Sequence, residues 1–170
     1  MKFSMDHQFD CPAEKIIGML KAGEELCRME DLPNVSSRKI LERRRDGKKV
    51  YNRVEWCVHG QIPKIAQRIL RPEMLTFIEE SVWDDDDATF RTKIIPHYLK
   101  DKIKCNTTSQ WSAAADGNAR RRFGGELVIS IPIVGPVAEM TIIDYLKKNN
   151  DKNAVIVRKF LQEKFGPMAK

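Results

Sequence analysis

The chain holds three histidines, His7, His59 and His97, as candidate acid–base groups near neutral pH. In "KFSMDHQF" strict alternation puts His7 on one face with Phe3, Met5 and Phe9. A histidine on an apolar face is either satisfied within the core or turns a polar group into a pocket. His59 falls near a strand end and His97 follows Pro96, so both read as surface groups. No H-E-x-x-H, G-x-S-x-G or G-x-x-x-x-G-K occurs, so no motif assigns a catalytic residue, a metal or a nucleotide phosphate. An acid–base enzyme would need a second titratable group beside His7, and a buried carboxylate such as Glu79 is the candidate.

Charged runs offer less. Asp84-Asp85-Asp86-Asp87 lacks the spaced ligands, glycine and distal glutamate of a calcium loop, and four adjacent carboxylates do not converge on one ion. It reads as a solvated turn, and no cofactor is expected. Arg43-Arg44-Arg45 with Lys48-Lys49, and Arg120-Arg121-Arg122, lie beside turn signals. Successive strand residues point to opposite faces, so neither triplet makes one flat patch. They read as a solvated rim, with transient contact to anionic lipid headgroups as the sharper alternative. No nucleic-acid motif with stacking aromatics accompanies them, so no nucleic acid is expected.

A richer set suits a pocket. Trp56, Trp83, Trp111, Phe77, Phe90 and Ile94 are apolar or aromatic strand residues. His7, Thr92, Thr107, Asn149 and Asn153 are polar groups that can share their side of the sheet. Ile142 and Leu146 lie on the helical stripe that carries the two asparagines. Ligand sites are mostly apolar with a few placed polar groups, and this is that mixture. The plain alternative is that the same residues fill a core.

The elements that must position them follow from periodicity. The alternating segment 2–9 is a half-buried strand. "DCPAEKIIGMLKAGEELCRME" then places Asp10 as N-cap and Pro12 in the first turn of a helix, with Gly23 dividing it into two. From Val35 to Pro132 the period is two. Asp46-Gly47 turns a first hairpin, and a short helix over 62–71 interrupts the strands. The acidic run turns a second hairpin, with Trp83 opposite Ala88, Glu80 opposite Arg91 and Phe77 opposite Ile94. A third turns near Asp116-Gly117-Asn118. After Pro132 helical spacing returns, with Ala138, Ile142, Tyr145, Leu146, Ile156 and Phe160 on one stripe of a helix from about 136 to 165. At 1.5 Å per residue it is roughly 45 Å long. A long antiparallel sheet curls as it twists, and such a helix can lie in its hollow.

Three features join this order: "FDCPAEKIIGML" after the first strand, Ile62-Pro63-Lys64-Ile65-Ala66-Gln67-Arg68-Ile69-Leu70 after the third, and Pro132-Ile133-Val134-Gly135 with Glu139 after the last. With Trp83 ending the fourth strand, they make the chain resemble the START-like helix-grip superfamily. That group includes lipid-transfer domains, birch-pollen-allergen-like proteins and polyketide cyclases. Within it the chain looks most like a bacterial START-like family of unknown function, although Pro136 stands where that pattern carries a second glycine. The resemblance implies an α+β helix-grip fold: a curved antiparallel sheet of about six to seven strands around a long C-terminal helix, with an internal apolar pocket.

Composition sets the remaining bounds. With 42% hydrophobic and 32% charged residues, the 170-residue chain has the balance of a globular protein and reads as one domain, 1–170. No apolar run approaches the roughly 20 residues that span a bilayer. No secretory signal opens the sequence, and Cys11, Cys27, Cys57 and Cys105 form no C-x-x-C pair, so a cytoplasmic protein with reduced thiols is expected. The expected function is binding or transport of a hydrophobic, lipid-like small molecule between the sheet and the C-terminal helix. Two alternatives stand beside it: a cyclase- or hydratase-type enzyme in the same pocket, and a protein-interaction module with a filled core.

Overall fold

The strand periodicity becomes a ladder of seven strands in the computed structural model, which describes residues 1–58, 64 and 75–166. In chain order the elements are β1 (Lys2–Pro12), α1 (Ala13–Lys21), a single 3-10 turn (Met29–Asp31), β2 (Val35–Asp46), β3 (Lys49–Val58), β4 (Thr76–Asp84), β5 (Thr89–Pro96), β6 (Ile103–Ala113), β7 (Asn118–Ile129) and α2 (Gly135–Phe165). They form one curved antiparallel sheet ordered β1-β7-β6-β5-β4-β3-β2, with α2 packed across β1 and β7. The helix expected over 62–71 lies outside the described residues, as does His59. No described helix is long and apolar enough to cross a membrane.

Four local expectations change. Asp10 is not an N-cap: β1 continues through Cys11, which is buried, and Pro12 precedes the helix. The Ala13 N–H donates to the Gly117 carbonyl at 3.1 Å, tying the end of the strand to the β6–β7 turn instead. The second short helix reduces to the 3-10 turn, because Gly23 leaves the helical region at φ 75° and residues 24–28 do not re-enter it.

The β4–β5 hairpin slips by two residues, pairing Trp83 with Phe90, Glu80 with Lys93 and Phe77 with Pro96. Side-chain chemistry in the acidic turn accounts for this. The Trp83 indole N–H donates to Asp85 Oδ1 at 2.6 Å, and the Asp86 N–H donates to Asp84 Oδ1 at 3.0 Å. Ala88 is left-handed at φ 50°, and Asp84 pairs with Thr89, so residues 85–88 leave the ladder. A slip of two keeps every side chain on its face and keeps Glu80 opposite a cation.

The buried stripe of α2 is offset by one position from the expected one. Ile143 and Val157 are buried, whereas Ile142 and Ile156 are only half-buried. Ala154, fully buried and small, lets the helix approach the sheet closely between them. Beneath it lie two core clusters. One gathers Phe9, Ile16, Leu20, Trp83, Trp111, Val157 and Leu161; the other gathers Phe3, Cys105, Leu127, Ile129, Ala138 and Ile143.

The joint between sheet and helix is built from "SIPIVGP". β7 ends at Ile129, and the Gly135 N–H bonds back to the Ile131 carbonyl at 2.8 Å. Pro136 sits in the first helical turn, where no intrahelical N–H is required. Glu139 then reaches back, and its Oε1 accepts from the Ile129 N–H at 2.8 Å. That bond holds the Glu139 carboxyl below the usual carboxylate range. Glu139→Ala strands a buried donor, so chemical denaturation should show a loss of about 1 kcal/mol. A carboxylate with a lowered folded-state pKa stabilises above its unfolded value, about 4.3, and loses that contribution as pH falls through the lower folded one. The variant should therefore match the parent at strongly acid pH and fall behind it towards pH 7.

Candidate ligand-binding cavity

Ladder register decides which side chains meet. Trp56 lies opposite Phe77, Val54 opposite Glu79, Asn52 opposite Ser81 and Val50 opposite Trp83. The next strands continue the rows, with Glu79 opposite Ile94, Ser81 opposite Thr92, and Thr92 opposite Thr107. Trp111 and His7 both lie opposite Arg121. The period of two therefore puts His7, Trp56, Phe77, Phe90, Thr92, Ile94, Thr107 and Trp111 on one face, the inner one.

On that face the candidates divide. A cavity of about 240 Å³ opens under the chain between α1 and β2, against the inner faces of β2–β5. Trp56 and Phe90 line it, together with Val54, Glu79, Ser81 and Trp83. Leu26, Cys27 and Leu32 from the covering segment close its other side. No residue of α2 lines it. Ile142, Leu146 and Ile94 instead pack, half-buried, on the cluster around Phe3 and Leu127. Asn149, Phe77 and Thr92 are half-buried and Thr107 is buried.

The polar end of the cavity is built by Arg38, Trp56 and Glu79. Arg38 is the register partner of Trp56, and its guanidinium lies over the Trp56 ring, 5.2 Å from the centroid. The same guanidinium is ion-paired to Glu25 of the covering segment. Burial pushes the Glu79 carboxyl above its ordinary range, and the nearby Arg38 charge and Trp56 indole pull it only partly back. The indole N–H is close enough to act on that carboxyl, but it meets no partner at hydrogen-bonding geometry.

The second cluster surrounds His7. Arg121 Nη2 donates to His7 Nδ1 at 3.2 Å, and Asp151 Oδ1 lies 2.9 Å from His7 Nε2. A guanidinium only donates, so Nδ1 is the acceptor and Nε2 carries the proton given to Asp151. Arg121 Nη1 also reaches Asn153 Oδ1 at 3.4 Å. The guanidinium lies over the rings of Phe9 and Trp111, at 5.9 and 5.7 Å. Desolvation lowers its pKa to about 10, so it stays charged at neutral pH. Asn153 thus serves a structural polar network that ties α2 to β1 and β7. With both nitrogens engaged, His7 is not poised over the cavity.

Arg121 corrects the reading of its triplet as a solvated rim: it is buried, whereas Arg120 bonds Asp6 through Nε at 2.9 Å on the outer face. Alternation from the inward Phe123 could have found it. The other basic run meets the acidic turn. Lys48 pairs with Asp86 at 2.7 Å and Arg45 with Asp85 at 2.9 Å, so these turns neutralise each other and give no support to headgroup contact there.

A larger hollow, about 500 Å³, lies on the outer face among residues such as Arg44, Arg53, Glu80, Arg91 and Lys93. Its charges pair at the surface, Arg53 with Glu80 at 3.3 Å. The smaller cavity is the better ligand site, because the chain between α1 and β2 lies over it and sets apolar walls such as Val54, Trp83 and Phe90 beside polar groups such as Arg38, Arg43 and Glu79.

A family profile described as "Protein of unknown function (DUF2505)" matches residues 4–161. No curated protein matches the sequence. Among solved structures, TTHA0849 from Thermus thermophilus superposes with a TM-score of 0.67 at 16% identity, over 96% of this chain and 98% of that one. A START superfamily protein from Mycobacterium smegmatis gives 0.59 at 12% identity, over 93% and 97%. The Zhui aromatase/cyclase from a Streptomyces species gives 0.61 at 10% identity, over 95% and 94%. At these identities the likeness shows the fold, a START-like helix grip, and not the chemistry.

Proposed function

This chain belongs to DUF2505, a family of proteins of unknown function, and from that premise and its START-like fold we propose that it binds or carries a hydrophobic small molecule. The covered cavity of about 240 Å³ between the 22–34 segment and the inner sheet carries the reading. It lies just below the roughly 300–1,000 Å³ usual for small-molecule sites, which fits a small apolar body or one end of a longer chain. Val50, Val54, Trp83 and Phe90 give it apolar walls, and Glu24, Glu25, Arg38, Arg43, Asn52, Glu79 and Ser81 give it a polar side. Four free cysteines suit a reducing compartment such as the cytoplasm.

The test has two arms. Native mass spectrometry and solvent extraction of protein from its own host should show one apolar molecule per chain. Val54→Phe, which thrusts a ring into the cavity, should weaken binding of that molecule by about tenfold or more. Empty protein that also ignores a lipid panel would remove the proposal, as would undiminished binding by the filled variant.

The raised Glu79 carboxyl beside Arg38 favours a second reading, an enzyme of the cyclase or hydratase type. His7 is committed elsewhere, so Glu79 would supply the acid–base step. Turnover of an extracted molecule, abolished by Glu79→Gln with binding retained, would select this reading over the carrier. The cavity itself counts against an interaction module with a filled core.

A further inference from the structure

Among the described residues three buried side-chain polar atoms have no hydrogen-bond partner: Arg38 Nε, Trp56 Nε1 and Arg121 Nε. Two of the three belong to residues that line the cavity, and those two residues are register partners on adjacent strands. Buried polar groups are nearly always paired, so two adjacent orphans at one cavity are a feature to be explained. Both are N–H groups, which can only donate. We propose that Arg38 and Trp56 form a recognition site for an acceptor oxygen, a carboxylate or carbonyl, at the head of the apolar molecule that the cavity holds. This rests on the carrier reading and adds the chemical class of the ligand's polar end.

The surroundings support an acceptor over a donor. Arg38 is held in place from two sides, by the Trp56 ring beneath it and by Glu25 on the covering segment. Its charge is thereby kept beside the cavity without the need to reorganise the whole side chain. Both orphan nitrogens are shut away from bulk water, so solvent does not compete for them. Glu79, which lines the same cavity, is pushed towards its neutral form by burial, and a neutral carboxyl adds an O–H donor. Two fixed donors and one switchable one thus belong to residues that share the cavity with Val54, Trp83 and Phe90. An amine or ammonium head would set donor against donor and bring a cation to Arg38. An aliphatic end without a head would leave both N–H groups unpaired.

Isothermal titration of the full chain with decanoate, methyl decanoate, decan-1-ol and decylamine separates these cases. Decanoate and its ester should bind about tenfold or more tightly than decylamine, with the alcohol between. Trp56→Phe keeps the ring and deletes only the N–H; Arg38→Met keeps an unbranched stem and deletes the donor. Each should shrink the acid-to-amine ratio several-fold, because decylamine gains nothing from either donor. A merely structural role for the pair would lower all four affinities together. Equal affinities for decanoate and decylamine in the parent chain would overturn the head-group assignment and leave the carrier reading standing. If none of the four bound a folded chain, the carrier reading itself would go, and this assignment with it.

Discussion

Gly135→Ala is expected to cost about 3 kcal/mol or more, which at this chain length lowers Tm by about 6–12 °C. A β-carbon built on Gly135 would sit 2.2 Å from the Ile129 carbonyl oxygen and 3.3 Å from its carbon. Both atoms are backbone, so no flexible side chain can swing away. The helix must shift off the end of β7, and the shift breaks the Ile131 carbonyl bond to the Gly135 N–H and the Glu139 bond to the Ile129 N–H. Gly18→Ala is the control. Nothing lies within 4 Å of the β-carbon it would add in α1, and alanine there should stabilise by about 0.5–1 kcal/mol. Thermal unfolding of the pair checks both signs. A Gly135→Ala protein as stable as its parent would mean that the joint tolerates a different approach of α2 to the sheet.

Trp83→Ala carries the second large effect, a loss of about 3–5 kcal/mol. Trp83 is 1% exposed and its ring packs 4.8 Å from that of Phe90. The truncation removes the largest fully buried side chain, and it also removes the indole donor that Asp85 accepts at 2.6 Å inside the acidic turn. Trp83→Phe keeps most of the packing and loses only that bond, so it should cost far less, about 1–2 kcal/mol. Because Trp83 is a wall of the cavity, a Trp83→Ala chain that still folds should bind longer apolar molecules than its parent does. Urea denaturation gives the first quantity and a chain-length series of decanoate homologues the second. A loss near 1 kcal/mol for alanine would show that the surrounding strands collapse into the space.

Much of this architecture is readable along the chain because it is local. The period of two in β1 and in β3–β7, the turn glycines Gly47 and Gly117, and the proline–glycine break before Gly135 are short-range signals. They place the hairpins and the long helix within a residue or two. Faces are equally local: once Phe123 is taken as inward, Arg121 and Leu127 must be inward too. The slip in β4–β5 escaped because hydrogen bonds inside the acidic turn, not the flanking pattern, set its length.

The site was less legible. Every strand candidate lies on the inner face, as the alternation requires, yet the face is shared by two unlike clusters. Which residues border a cavity and which pack on α2 depends on where a helix crosses a curved sheet, and that is a long-range matter. α2 lies over β1 and β7, so His7 and Asn153 meet Arg121 there, and the space is left at the other end of the sheet. Nothing in the sequence sets Arg38 apart from the other arginines of its strand. Only the covering segment, with Glu25, and the neighbouring Trp56 turn it into a cavity group. The sequence by itself determined the order of the elements, their faces and the joint, because backbone sterics and side-chain period act between near neighbours. The tertiary structure decided which buried polar groups find partners, since burial and pairing depend on atoms brought together from distant parts of the chain.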